Sequence, residues 1–161
     1  MRLAVAAIAI GLALGGCAGA QPRVASSSAA AAALPAAGDQ MPLQLLPPQT
    51  LAVRQCALFL WQKSEQPRRV LMALDTPPIA RVQIDGRLID LARIEVSGDL
   101  QWGHFPHAVY RGSGLTLRLD LVIENRERLV GGGLVPEGSI SIERENGWSM
   151  IVPVAGMIAC Q

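Results

Sequence analysis

Strict alternation between apolar and other residues marks the segment from Leu115 to Ile123. Its odd-numbered positions are all Leu or Ile, and its even-numbered positions are Thr, Arg, Asp and Val. Successive side chains of a β-strand point to opposite faces, so this period of two gives a strand one apolar face and one largely polar face. A helix with the same spacing would scatter its leucines around the cylinder. The segment therefore predicts a β-strand with one buried face.

Short apolar runs separated by turn residues extend this pattern over most of the chain. Asp85-Gly86 and Asn146-Gly147 each stand between two such runs, and both dipeptides favour tight hairpins because the turn needs positive φ. Pro153 cannot donate to a β-ladder, which indicates an edge or a strand end. The other predicted strands include residues 54–61, 70–74, 79–84, 87–91, 139–143 and 148–152.

These runs predict an all-β domain of about seven to nine short strands. The pattern of hairpins favours a single antiparallel sandwich or a small barrel. Residues 87–96 have an alternative interpretation as a helical turn, because Leu88, Leu91, Ala92 and Glu95 also fit a helical spacing.

The amino-terminal part of the chain differs in composition from the rest. A basic start, Met1-Arg2, precedes an apolar stretch that is shorter than the roughly 20 residues of a membrane-spanning helix and is typical of a signal peptide. The following Ser-, Ala- and Pro-rich stretch contains no aromatic residue and cannot bury enough surface to offset its ordering entropy. We expect a cleaved signal peptide at 1–16, a flexible tether at 17–40 and the all-β domain at 41–161. A short helix through the alanines is the alternative for the tether.

The segment Leu14-Gly15-Gly16-Cys17 resembles the lipobox of bacterial lipoproteins. In that family the cysteine is lipidated through its sulfur, the signal peptide is cut just before it, and the new amino group is acylated. The resemblance implies that lipidated Cys17 anchors the protein in the cell envelope, since two or more acyl chains hold a protein stably. Ala18 after the cysteine implies the outer rather than the inner membrane, with the domain facing the periplasm. An ordinary secreted protein with an incidental Cys17 is the competing interpretation.

Lipidation of Cys17 would leave one pair of cysteines, Cys56 and Cys160. The periplasm is oxidising, so this pair is expected to form a disulfide. Closing a loop near 100 residues stabilises a domain by roughly 4–5 kcal/mol in the chain-entropy model. Two unpaired thiols or a redox pair are the alternatives, although the chain has no Cys-x-x-Cys motif.

One segment, residues 102–110, concentrates both histidines and half of the aromatic residues. Aromatic and histidine side chains grouped on a loop can form a binding surface. An ion bound by both histidines with Asp99 is a weaker alternative, because the spacing matches no standard site. A purely structural role in capping the core is the third interpretation. The candidate contact residues are Trp102, His104, Phe105, His107 and Tyr110, and no metal site, catalytic residue or cofactor is expected.

Composition and motifs favour binding over catalysis. Loss of the signal peptide would leave thirteen basic and thirteen acidic side chains, so the mature chain would have no excess of positive charge with which to bind nucleic acid. Gly112-Ser113-Gly114 is not a nucleophile elbow, because it joins two predicted strands. We therefore expect a non-enzymatic envelope lipoprotein whose periplasmic β domain binds another envelope protein or a peptidoglycan-related component. One alternative is an inhibitor of a lysozyme-like enzyme, on an architectural resemblance to periplasmic lysozyme-inhibitor lipoproteins. The other is a small hydrolase with a carboxylate pair.

Overall fold

The computed structural model describes residues 42–126 and 129–161, and these residues form eight antiparallel β-strands. Each strand pairs with the next along the chain, and β1 pairs with β8 to close a barrel. This confirms the predicted all-β fold in its barrel form. The predicted signal peptide and the whole of the predicted tether lie outside the described residues. The strands are β1 (Cys56–Gln62), β2 (Arg69–Leu74), β3 (Ile79–Ile84), β4 (Arg87–Ser97), β5 (His107–Gly112), β6 (Leu115–Glu124), β7 (Gly132–Arg144) and β8 (Ser149–Cys160).

The barrel has two different ends. The hairpin end carries the β1–β2, β3–β4, β5–β6 and β7–β8 turns, and the loop end carries the other three connections. The Asp85-Gly86 turn has positive φ at both central residues, as a type I′ hairpin requires. The Asn146-Gly147 hairpin is also present, but only Gly147 has positive φ, which fits a three-residue loop rather than a two-residue one.

The predicted disulfide between Cys56 and Cys160 is confirmed and lies at the loop end. The two cysteines are directly opposite each other where β1 pairs with β8. This pairing joins the first and last strands, so the bond holds together the contact that closes the barrel. A closed barrel has no unpaired sheet edge along this seam.

Apolar side chains fill the barrel interior. In an eight-stranded barrel the inward-facing residues just fill the lumen, and the alternation seen in β6 supplies one such row. Leu117 and Leu119 face inward and are buried, whereas Arg118 and Asp120, which alternate with them, are exposed. Further buried members of this core come from other strands, among them Leu58, Leu60, Leu71, Val82, Leu91, Ile140, Ile142, Val152 and Ile158.

A second, smaller core lies outside the barrel wall. Residues 42–55 run across β1–β3 from the hairpin end to the loop end, and their backbone is tied to Gln83 and Arg69 by hydrogen bonds of 2.8 and 2.7 Å. Leu46 is buried there against the outward faces of Ala57 and Met72. The Arg69 Nη2 atom donates to the carbonyl oxygens of residues 46 and 47 and fixes this segment to the wall.

Two local expectations are refined by the structure. The helical alternative for residues 87–96 is wrong, since β4 runs through them. Gly132 and Gly133 belong to β7, where a Cβ atom on Gly132 would clash with the carbonyl oxygen of Ile158. Pro153 is inside β8, at the point where β1 ends, and its carbonyl accepts from Lys63 N at 2.9 Å. Because the N and O atoms of a strand residue point to the same side, the missing donor faces the end of β1, and the β7–β8 ladder loses no hydrogen bond at the proline.

Candidate functional site

The β4–β5 connection, residues 98–106, forms a folded cap at the loop end. Gln101 and His104 exchange two backbone hydrogen bonds of 2.7 and 2.8 Å across a two-residue turn. The central residues, Trp102 and Gly103, have φ of 52° and 81°. Two positive φ values indicate a type I′ turn, which normally takes Asn, Asp or Gly at its first central position. A tryptophan there is strained.

Trp102 is held in place and remains 41% exposed. Its indole Nε1 donates to Asn125 Oδ1 at 2.8 Å, and Asn125 directly follows β6. The ring lies over Gly133 of β7, where an added Cβ atom would come within 3.4 Å of the indole. The neighbouring β6–β7 segment thus positions an aromatic side chain that solvent still reaches.

His104 lies on the other side of the same turn and points into the barrel. It is 1% exposed, and neither ring nitrogen has a hydrogen-bond partner. Its pKa is lowered from 6.5 to about 4, mainly by burial; the Asp75 charge opposes this shift, the Arg93 charge adds to it, and the backbone of Cys56 opposes it slightly. One Asp75 carboxylate oxygen is also buried without a partner. A neutral imidazole is therefore packed into the loop end of the barrel.

Arg93 and Tyr110 complete the polar region around His104. They are opposite each other in the β4–β5 ladder and share the inward face, where Tyr110 is 1% exposed. Burial raises the pKa of Tyr110, and the Arg93 charge partly offsets this. The Arg93 guanidinium also lies 5.7 Å from the centre of the Phe105 ring, within the range of a cation–π contact. A bulge at the next residue, between Arg93 and Glu95, turns Glu95 outward.

His107 occupies a different surface, the outer face of the barrel wall. Its Nδ1 atom lies 3.3 Å from Asp120 Oδ1, with side chains that are 53% and 74% exposed. Ser97 is opposite His107 on its other side, so the register aligns Ser97, His107 and Asp120 across three strands. An exposed pair of this kind contributes little energy. The row has the residue types of a hydrolytic triad, but it lacks the desolvated environment in which such groups act strongly.

The five candidate contact residues do not form one surface. Trp102 is exposed at the loop end and Phe105 is partly buried beside it, whereas His104 and Tyr110 are buried inside the barrel. His107 faces outward on the wall. The two histidines therefore lie on different sides of the wall, and within the described ranges no three His, Cys, Asp or Glu residues are grouped to hold a metal ion.

Several residues around this cap were missing from the sequence-based set. Asn125, Arg93 and Asp75 contact or face the candidate residues, yet no sequence pattern links them to residues 102–110. Nothing in the spacing of Asn125 from Trp102 indicates their contact, because it depends on β6 ending at the loop end beside the Gln101–His104 turn.

Comparison with known protein families, curated proteins and solved structures found no match to this chain. In the part of the chain that the structure describes, no helix has the length and apolar character needed to cross a membrane.

Proposed function

We propose that this protein is a lipid-anchored lipoprotein of the bacterial envelope whose barrel is a non-catalytic binding module. Its partner is another envelope protein, contacted through the loop end around Trp102. The observation that carries the proposal is the exposed Trp102 at positive φ, fixed by Asn125. Aromatic side chains at fixed positions are the groups that most often dominate protein interfaces.

The backbone strain at Trp102 supports a role in binding. A non-glycine residue in the left-handed region costs on the order of 1–3 kcal/mol, and such residues cluster at functional sites. The Asp85-Gly86 turn shows that this chain builds the same turn with a residue that tolerates it. Tryptophan at position 102 is therefore poorly explained by folding alone and well explained by presentation to a partner.

The lipobox-like segment supports the location. The described chain begins at Pro42, and Gln44 bonds to Gln83 and Gly86 at the hairpin end. A tether from Cys17 would thus join the domain at the end opposite Trp102. Mass spectrometry of the native protein tests the anchor: we expect a mature amino terminus at acylated Cys17, and an unprocessed, unacylated terminus would contradict it.

The filled interior supports binding rather than hydrolysis. A carboxylate-pair hydrolase in the barrel mouth needs an open cleft between its acid and base, to admit the substrate. Here Asp75, a carboxylate at the loop end, lies against the capping turn: an added Cβ on Gly103 would come within 2.7 Å of Asp75 Cβ.

The contact surface is tested in the full-length lipidated protein by crosslinking in intact envelopes. Trp102→Ala is compared with Trp61→Ala, a partly buried tryptophan on β1. We expect the crosslinked partner to be lost only with Trp102→Ala. Equal capture by both variants and the wild type would refute the surface. Inhibition of a lysozyme by the purified protein would instead identify the partner as a wall-degrading enzyme.

A further inference from the structure

The turn that presents Trp102 is attached to the barrel through one deeply buried side chain, His104, which is 1% exposed. The connection that carries the turn, residues 98–106, is closed at its base. An added Cβ atom on Gly98 would clash with Pro106, whose carbonyl accepts from the β6 backbone at 2.9 Å. Every residue beyond this base lies outside the eight strands, so movement of the turn breaks no strand pairing of the barrel.

The other polar contacts of the turn are weak. The Trp102 indole donates to Asn125 at the surface, where water competes for the same hydrogen bond. Arg93 Nη1 donates to the Gly103 carbonyl at 3.4 Å, which is long for a hydrogen bond. The positive φ of Trp102 adds backbone strain that is relieved when the turn opens. The free energy that keeps the turn closed therefore depends strongly on the burial of the imidazole.

The surroundings of His104 favour a neutral imidazole. Neither ring nitrogen has a hydrogen-bond partner, and a buried cation without one is costly. In the described part of the chain, the Asp75 carboxylate after β2 and the Cys56 backbone on β1 favour protonation, whereas the Arg93 guanidinium on β4 opposes it. Tyr110 on β5 faces Arg93 and is neutral, because burial raises its pKa. Burial outweighs the Asp75 charge, so the pKa of His104 is lowered to about 4.

We propose that protonation of His104 releases the Gln101–His104 turn from the barrel, so that acid weakens the binding surface around Trp102. In the released turn both N–H groups of the imidazolium reach water, whereas in the closed turn its charge is buried near the Arg93 guanidinium. The inference rests on the proposed function for what the release controls, but the release itself needs no partner. The barrel stays closed, because β1 remains paired with β8 and joined to it by the disulfide.

The direction and size of the effect follow from linkage. A released His104 has the ordinary pKa of 6.5, whereas the buried one has a pKa of about 4, so the released turn binds the proton more tightly. The stability of the closed turn is therefore fully present above pH 6.5 and is lost as the pH falls from 6.5 towards 4. Between pH 7.5 and pH 5.0 the ratio of released to closed turn rises about 30-fold.

Amide hydrogen exchange of the full-length protein, followed by NMR at pH 7.5 and pH 5.0, tests the release. The turn offers two reporters, because the amides of Gln101 and His104 each donate across it. We expect their protection factors to fall about 30-fold at pH 5.0 in the wild type and in His107→Leu. They should change little in His104→Leu, since leucine keeps an apolar anchor inside the barrel and cannot be protonated. The Gly86 amide, which donates to Gln44 Oε1 at 2.8 Å at the hairpin end, should keep its protection throughout.

Three results of this measurement would overturn the release. The same pH dependence in the wild type and in His104→Leu would mean that another group titrates. Protection that rises in acid would show that the imidazolium pairs with the unpartnered carboxylate oxygen of Asp75 and tightens the turn. Protection equal to that of the strand amides would show that the turn opens only when the whole barrel unfolds.

Crosslinking in intact envelopes at the same two pH values tests the consequence for binding. We expect the wild type to capture less partner at pH 5.0 than at pH 7.5, and His104→Leu to capture equal amounts at both. Undiminished capture by the wild type at pH 5.0 would overturn the control of binding and leave the Trp102 surface intact. Absence of capture by the wild type at either pH would refute the Trp102 surface instead, and hydrogen exchange would still decide whether the turn is released.

Discussion

Acid should destabilise this domain through one side chain, His104. Its imidazole is 1% exposed without hydrogen-bond partners, and its pKa in the folded protein is about 4, against 6.5 for an unperturbed histidine. The unfolded chain therefore binds a proton more readily than the folded one. The resulting stability is fully present above pH 6.5 and is lost as the pH falls from 6.5 towards 4.

The expected magnitude follows from the two pKa values. At pH 7.5 His104 is neutral in both states and contributes nothing to the pH dependence. At pH 5.0 the unfolded histidine is almost fully protonated and the folded one mostly neutral, so linkage lowers the free energy of unfolding by about 2 kcal/mol. With a urea m-value near 2 kcal/mol/M, the unfolding midpoint falls by about 1 M.

The assay is urea unfolding of the disulfide-bonded protein at pH 7.5 and pH 5.0. The chain has only two histidines, so His107→Leu is a matched control for His104→Leu. We expect the wild type and His107→Leu to lose about 2 kcal/mol between the two pH values, and His104→Leu to lose little. At pH 5.0 most carboxylates with ordinary pKa values remain ionised. A wild type and His104→Leu with the same pH dependence would refute the reasoning, because the buried imidazole would then not be the titrating group.

Two further changes test the packing of the loop end by the same urea assay. Gly103→Ala should lower the free energy of unfolding by about 1–3 kcal/mol more than Gly86→Ala does. Both glycines have positive φ, but of the two only Gly103 would place its Cβ against another atom, 2.7 Å from Asp75 Cβ. Equal losses in the two variants would contradict the close contact. The Cys56→Ala/Cys160→Ala variant should lose about 4 kcal/mol, since the bond closes a separation of 104 residues; an unchanged midpoint would show that strand pairing alone closes the barrel.

The strands could be predicted from the sequence because burial on one face leaves a periodic pattern. The alternation from Leu115 to Ile123 became β6, and Asp85-Gly86 became a tight turn. Barrel closure was not predictable in the same way. Pairing of β1 with β8 joins residues about 100 positions apart, and only the Cys56–Cys160 pair indicated that these segments meet.

The candidate site was less predictable, since neighbours in sequence separated in space. His107 and Tyr110 are three positions apart on β5, so strand alternation sends one outward and the other into the core. The bulge between Arg93 and Glu95 then places these two residues on opposite faces of β4, although they are two positions apart. Neither effect leaves a signal in composition, because the bulge depends on the pairing with β5.

The Gln101–His104 turn carries two energetic costs that the topology of the barrel does not require. It places Trp102 at positive φ and buries His104 without a hydrogen-bond partner. Two other turns of the same kind, at Asp85 and Ser113, use residues that adopt this conformation more readily and are exposed to water. A shorter polar turn would connect β4 to β5 with less strain. The burial of His104 holds the turn on the barrel and so fixes the position of Trp102 at the surface. In the proposed function, both energetic costs serve to present this aromatic side chain to a partner.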